Sequence, residues 1–185
     1  MGEVKIMTAN EWIGIDAALF YPYRKIITKS GYLCGTSAAT TFLCYYQDHL
    51  MPTIIPAHIR AKGSENTAAL QDLLRVIIQP FDFPTLSFQV AHGMSRYFSL
   101  FHLPLRARQT PLGGLTRVIK RIDQGKPVIV GLMKLKGSTY GNHWVVAYAY
   151  KKDAVGNYWL KIHDNWGDYQ KIVPASWING TISLA

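Results

Sequence analysis

The chain has 185 residues, 49% of them hydrophobic and 17% charged, which is the composition of a globular protein with a buried core and excludes a disordered chain. Twenty Lys and Arg residues against eleven Asp and Glu residues give a formal net charge of +9, which favours an anionic surface or an acidic partner. The basic residues are scattered and accompany no nucleic-acid-binding motif, so a generally solvated basic surface is favoured over a dedicated polyanion site.

The N-terminal residues 1–16 contain one lysine and no continuous apolar stretch, unlike a Sec-type signal peptide. No run of about 18 apolar residues occurs anywhere in the chain, so no transmembrane helix is predicted. We therefore expect a protein that works in the cytoplasm or is exported without a Sec-type signal peptide.

The first half of the chain predicts helices. Residues 35–49 indicate a buried helix that stops before Pro52, and residues 66–78 indicate an amphipathic helix. A shorter helix is expected around residues 95–101. Both cysteines of the chain belong to the first helix, where about 15 Å of helix axis separates them. They are therefore expected to be free thiols, because a disulfide needs Cα atoms within about 7 Å.

The second half changes from helices to strands. Thr110 is a suitable N-cap with Pro111 at the first helical position, which predicts a helix that ends at Gly125. Strands are expected over residues 128–133, 143–150, 158–163 and, once or twice, within 171–184. Helices followed by an antiparallel sheet define an α+β architecture, with one domain over residues 1–185.

One cysteine has the surroundings of a nucleophile. Such a residue needs a stabilised thiolate, a nearby base and hydrogen-bond donors for the oxyanion of the substrate. A helix N-terminus supplies the first, because its free N–H groups and its dipole favour an anion. Cys34 occupies that position, its own N–H is one oxyanion donor, and Gly35 permits a substrate to approach closely. Cys44 lies among apolar residues inside the helix and is interpreted as inert.

A histidine in the second half supplies the expected base. His143 opens a strand whose side chains alternate between two faces, so that His143, Val145 and Ala147 share one face. The hairpin to the next strand brings Asp164 to the same face, where its carboxylate is expected to orient the imidazole. Asn165, which follows on the other face, is the alternative orienting residue.

Four segments in this order resemble the motifs of the C39-like branch of the papain-like cysteine peptidases. They are GYLCGTSAA at residues 31–39, QGKPVIVG at 124–131, NHWVV at 142–146 and HDNWG at 163–167. The resemblance implies a papain-like fold, with N-terminal helices packed on a C-terminal antiparallel sheet, and a catalytic triad of Cys34, His143 and Asp164. Members of this branch cleave amide bonds, often after Gly-Gly where they serve bacteriocin-exporting transporters. The expected substrate is therefore a peptide or a peptide-like amide, with no cofactor.

The chain departs from this family at a few positions. Thr36 and Asn165 stand where the family often has proline, and neither change removes a catalytic group. The family places an oxyanion-binding glutamine six or seven residues before the cysteine, and Thr28 stands at one of those positions here. We expect a replacement donor from segment 23–30, with Thr28 and Lys29 as the candidates. Loss of one such donor typically costs about 100- to 1000-fold in rate.

The remaining signals are weaker. Trp144 and Trp166 flank the proposed site and are candidate substrate-binding residues, although aromatic residues in such places more often serve packing. No histidine pair has helical metal-ligand spacing with a third ligand nearby, so no metal site is predicted.

Two classes of function remain open, a cysteine hydrolase and a catalytically weak or inactive papain-like domain that binds a peptide. A bacterial effector or toxin delivered into another cell is a further interpretation of the small basic chain.

Overall fold

The computed structural model describes residues 11–29, 32–81, 83–112 and 114–185. Its strands are β1 (Ile13–Gly14), β2 (Ala107–Thr110), β3 (Val128–Leu132), β4 (His143–Lys152), β5 (Tyr158–His163), β6 (Lys171–Pro174) and β7 (Ile178–Leu184). Its α-helices are α1 (Cys34–Tyr45), α2 (Ala68–Ile78), α3 (Ser87–Leu100) and α4 (Leu115–Ile122). Short 3-10 helices cover Ala17–Tyr23, Lys134–Lys136 and Ala175–Trp177, and the π-helical turn Tyr46–Leu50 continues α1. Residues 1–10, Ser30 and Gly31 lie outside the described residues. They belong, respectively, to the N-terminal segment 1–16, to the predicted donor segment 23–30 and to the cysteine motif 31–39.

The strands of the described residues form one antiparallel sheet. Its order is β2-β7-β3-β4-β5-β6, and the short β1 pairs with β4 next to Tyr150 and Ala149. Every pairing in it is antiparallel. This confirms the α+β architecture at the level of helices packed on an antiparallel sheet. The sheet is not purely C-terminal, however, because β1 lies near the N-terminus, before all of the α-helices.

Strand β4 lies at the centre of the molecule and is buried from His143 to Tyr150. Its residues alternate between two apolar clusters, as a pleated strand requires. Val146 and Tyr148 belong to the cluster that contains α1, whereas Val145 and Ala147 belong to the cluster that contains α4. Helix α1 is buried along its whole length between the sheet and the helix pair α2 and α3.

Two predicted helices begin elsewhere. Helix α3 starts at Ser87, earlier than expected, and Gln89 caps it by accepting a hydrogen bond from the Leu86 N–H at 2.7 Å. Gly93 lies inside it because a Cβ there would come within 2.6 Å of Ile78 on α2. The prediction that Thr110 caps the following helix is wrong, since Thr110 pairs with Thr181 at the end of β2 and the helix begins only at Leu115.

Among the described residues, no helix combines the length and the apolar character that crossing a membrane demands. Both cysteines are buried free thiols, as predicted.

Candidate active site

Cys34 is the first residue of α1, with 6% of its surface exposed. Burial raises the pKa of its thiol above the ordinary value, while the backbone N–H groups of Trp144, Gly35 and Cys34 itself lower the pKa by hydrogen bonding to sulfur. Gly35 is required by close packing, because a Cβ at this position would lie 2.5 Å from the Thr85 Oγ1. Because residue 35 has no side chain, the start of the helix leaves room for backbone N–H groups to reach the thiol.

His143 is the first residue of β4 and pairs with Leu132 of β3. Its Nε2 lies 2.7 Å from the backbone carbonyl oxygen of Asp164. A carbonyl oxygen only accepts hydrogen bonds, so Nε2 carries the proton in the neutral ring and the lone pair is on Nδ1. Burial lowers the pKa of His143, against the opposing effects of the Asp164 carbonyl and charge. The ring is thus a neutral base with its acceptor nitrogen defined.

The thiol and the imidazole line the same cavity, which has a volume of about 660 Å³. The segment before α3 forms one wall with Thr85, and the end of β3 forms another with Leu132. Within the described part of the chain, no hydrogen bond joins the Cys34 sulfur to the His143 ring. The structure therefore brings the Cys34 thiol and the His143 imidazole to one cavity, with the pKa of each group shifted in the direction that favours its neutral form.

Asp164 contacts His143 through its backbone and not through its carboxylate. One carboxylate oxygen accepts hydrogen bonds from the backbone N–H groups of Trp166 at 2.7 Å and Asp168 at 3.0 Å. The other accepts from the Tyr140 hydroxyl at 3.0 Å. The expected contact between carboxylate and imidazole is therefore replaced by a carbonyl contact, because the tight turn after β5 directs the side chain back onto its own loop.

Two aromatic rings contact the imidazole and also contact each other, with 4.9 Å between the centroids of Tyr140 and Trp166. Tyr140 stacks on His143 at 5.6 Å between ring centroids with an interplanar angle of 7°, and Trp166 lies 4.5 Å from it at 40°. The Asp164 carboxylate holds both, through the Tyr140 hydroxyl and the Trp166 N–H. Trp166 is 55% exposed and does not line the cavity, so its predicted substrate contact is replaced here by a contact with the base.

Trp144 forms the floor of the cavity. It is 7% exposed, and its indole N–H donates to the Thr85 carbonyl oxygen at 3.0 Å. Gly131 on the neighbouring strand accommodates the ring, because a Cβ there would come within 2.9 Å of it. Trp144 therefore lines the cavity with its polar atom already engaged, and its contact with a substrate stays a prediction.

Asn165, the alternative orienting residue, faces away from His143. It is fully buried with φ = 59°, a left-handed conformation that asparagine adopts more readily than most residues. Its amide nitrogen donates to the Trp144 carbonyl oxygen at 2.9 Å, and its amide oxygen accepts from the Thr41 hydroxyl at 3.4 Å. Asn165 thus connects β4 with α1 and leaves the orientation of His143 to the Asp164 carbonyl.

Neither predicted oxyanion donor lines the cavity. The backbone N–H of Thr28 donates to the Asn165 carbonyl oxygen at 2.8 Å, and the Thr28 hydroxyl is buried without a hydrogen-bond partner. Lys29 is exposed at the surface. The segment before the nucleophile is therefore fastened to the Asn165 turn rather than to the cavity.

A glutamine from another part of the chain contacts the turn at the start of α1, and no local motif predicted this contact. Gln79, at the end of α2, accepts from the Thr36 hydroxyl at 2.8 Å and donates to the carbonyl oxygens of Tyr32 and Phe83. This explains threonine at position 36, since proline there has no hydroxyl to donate. Because both amide hydrogens are engaged with carbonyl groups, Gln79 holds the turn in place.

The described residues contain no group of three or more His, Cys, Asp or Glu side chains placed to hold a metal ion. No protein-family model matches the chain, and no curated protein matches it. The feature of the molecule that indicates a function is the cavity that Cys34 and His143 share.

Proposed function

We propose that this chain is a papain-like cysteine hydrolase that cleaves amide bonds of peptides or peptide-like substrates. Cys34 is the nucleophile and His143 the general base. The observation that carries the proposal is their meeting in one cavity, with Cys34 at a helix N-terminus and the His143 lone pair on Nδ1. A neutral thiol beside a neutral imidazole is a workable starting state, because proton transfer to the base accompanies the attack.

In acylation, the sulfur of Cys34 forms a C–S bond with the carbonyl carbon, and the π pair of the carbonyl moves to its oxygen. The thiol proton passes to Nδ1 of His143. The oxyanion then re-forms the carbonyl, the C–N bond breaks, and the imidazolium gives its proton to the departing amine. The product of this half-reaction is a thioester on Cys34.

In deacylation, water attacks the thioester carbon and gives a proton to Nδ1 of His143. The C–S bond breaks, the sulfur leaves with its electron pair and recovers the proton, and a carboxylic acid is released. Throughout, the Asp164 carbonyl keeps Nε2 protonated and stabilises the imidazolium that forms transiently. Tyr140 and Trp166 limit rotation of the ring by packing against it.

The test is hydrolysis of a positional library of fluorogenic tetrapeptide aminocoumarin amides that includes Gly-Gly sequences. We expect turnover by the wild type, none by Cys34→Ala, and wild-type turnover by Cys44→Ala, because Cys44 is fully buried away from the cavity. Thermal melting on the same samples establishes that each variant is folded. Turnover that survives in folded Cys34→Ala, or a library that the wild type leaves intact, would contradict the proposal.

A second candidate function is peptide binding without turnover. It is favoured by the absence of a hydrogen bond between Cys34 and His143 among the described residues. It is also favoured by the shifts in the pKa values of the two groups, which stabilise their neutral forms. In that case labelled peptides bind wild type and Cys34→Ala equally and stay uncleaved. The library experiment separates the two functions, since only a hydrolase releases the fluorophore.

A further inference from the structure

Thr85 has a buried hydroxyl without a hydrogen-bond partner. Its side chain precedes α3 and is 9% exposed, and Oγ1 finds no donor or acceptor in the protein. Its backbone carbonyl is already engaged by the indole N–H of Trp144. A buried hydroxyl that lacks a partner destabilises the fold, so such a group needs an explanation.

The hydroxyl lies next to the nucleophile. Its Oγ1 is 2.5 Å from where a Cβ of Gly35 would stand, which places it directly beside the residue after Cys34. Thr85 also lines the cavity that Cys34 and His143 line. Backbone N–H groups of Gly35 and Cys34 interact with the thiol. A hydroxyl without a hydrogen-bond partner thus lies in the cavity wall, next to the first turn of the helix that begins at Cys34.

We propose that the Thr85 hydroxyl donates a hydrogen bond to the substrate oxygen as the oxyanion develops, together with the Cys34 N–H. This inference rests on the proposed hydrolase function and names the donor that replaces the missing glutamine. The hydroxyl keeps its proton throughout, and its contribution is the stabilisation of negative charge in the transition state. Its lack of a partner in the free protein means that no existing hydrogen bond has to break.

The other unpartnered buried groups do not compete for this role. Within the described residues they are the Thr28, Thr181 and Ser183 hydroxyls and the Nε of Arg121. None of these residues lines the cavity. Thr181, on β7, is a matched control, because it is also a buried threonine with an unpartnered hydroxyl.

The first test compares Thr85→Ser with Thr85→Ala on the library member that the wild type cleaves fastest. Serine keeps the hydroxyl and alanine removes it, while both lose the same methyl group. We expect Thr85→Ala to lower kcat by about 100- to 1000-fold with little change in KM, and Thr85→Ser to stay within about tenfold of wild type. Equal losses in the two variants, or an unchanged kcat in Thr85→Ala, would overturn the assignment.

The second test separates oxyanion binding from thiol reactivity. A peptide aldehyde of the same sequence adds to Cys34 and forms a hemithioacetal, whose oxygen occupies the oxyanion position. Alkylation by iodoacetamide proceeds at a saturated carbon and places no charge on a carbonyl oxygen. We expect Thr85→Ala to weaken aldehyde binding by the factor lost in kcat and to leave the alkylation rate unchanged.

Controls distinguish the possible failures. Thr181→Ala should keep wild-type kcat and wild-type aldehyde affinity, and melting curves show whether each variant is folded. If Thr85→Ala slows alkylation as much as turnover, Thr85 acts on the thiol and the oxyanion role is rejected. If the wild type itself neither cleaves the library nor binds the aldehyde through Cys34, the proposed hydrolase function fails independently of Thr85.

Discussion

At the scale of single residues, burial shifts the pKa values of the Cys34 thiol and the His143 imidazole in opposite directions. It raises the pKa of Cys34 and lowers the pKa of His143, because both shifts disfavour the charged form of the group. A preformed thiolate–imidazolium pair requires the reverse order, with the thiol more acidic than the imidazolium. The free protein is therefore expected to hold a neutral pair and to transfer the proton only as the substrate reacts.

The order of these two pKa values, with the thiol above the imidazolium, predicts the pH dependence of Cys34 alkylation by iodoacetamide. The thiolate appears only as the pH approaches the raised pKa, so the rate should rise continuously between about pH 6 and pH 9. A preformed ion pair instead gives a rate that is already constant at the acid end of this range. Mass spectrometry of the labelled peptide measures Cys34 separately from Cys44, whose pKa burial raises to about 12 and which should stay unlabelled. A plateau near pH 6 would contradict the neutral pair.

Asp164 yields a second prediction at this scale. Asp164→Asn keeps the backbone carbonyl that contacts His143 and keeps an oxygen for the Trp166 N–H, so kcat should fall less than about tenfold. Asp164→Ala removes the side-chain acceptor of the loop and should cost more, through disorder of Trp166 over the imidazole. Steady-state kinetics and melting curves on both variants provide the measurement. If Asp164→Asn already loses several orders of magnitude, the carboxylate reaches His143 during the reaction.

The site could be predicted from the sequence where local patterns define it. The helix start at Cys34 and the strand start at His143 are short-range features, and the alternation after Tyr158 placed Asp164 on the side of His143. Alternation indicates a face and does not tell which atom of a residue reaches the partner, so the carbonyl contact was not foreseen. Thr85 and Gln79 reach the site from distant segments without any local motif, and only tertiary packing brings them there.

At the scale of elements, the errors of prediction have a common cause in long-range pairing. Thr110-Pro111 has the local chemistry of a helix start, yet the pairing of β2 with β7 keeps Thr110 in a strand. Helix α3 begins well before the predicted residues 95–101, and Gly93 inside it permits the close approach of α2. Strands β4 and β5 were predicted closely because they pair with each other across a short turn.

The same elements explain why the site needs the whole sheet. Helix α1 presents Cys34, β4 presents His143, and the turn after β5 supplies the Asp164 carbonyl. Asn165 joins two of these elements by its hydrogen bonds to Thr41 and the Trp144 carbonyl oxygen. Small shifts of α1 against β4 therefore change the distance between nucleophile and base, and turnover is expected to depend on this packing.

At the scale of the whole molecule, two apolar clusters share one sheet. The first packs α1, α2 and α3 on one face, and the second packs α4 on the other. Because the residues of β4 alternate between the two clusters from Trp144 to Tyr148, neither cluster can lose its face of the strand without disturbing the other. The net charge of +9 adds the expectation of an anionic surface or an acidic partner, which stays a prediction.

Sharing of β4 predicts that the described fold unfolds as one cooperative unit, as the expectation of a single domain requires. Urea transitions followed by far-UV circular dichroism and by tryptophan fluorescence should coincide. Leu43 of α1 and Val118 of α4 are both fully buried, in the first and the second cluster respectively. Leu43→Ala should lower the unfolding free energy by about 2–5 kcal/mol and Val118→Ala by less, because a smaller side chain is lost.

The two variants make the prediction decisive, because each weakens only one face of the sheet. In a cooperative fold, each variant should shift its circular dichroism midpoint and its fluorescence midpoint by the same amount, whichever cluster carries the substitution. If Val118→Ala instead separates the transitions, so that one signal changes at lower urea, the α4 face unfolds by itself. The cavity that Cys34 of α1 and His143 of β4 share would then survive on a partly unfolded chain, and the proposed peptide hydrolysis would be expected to persist beyond the first transition.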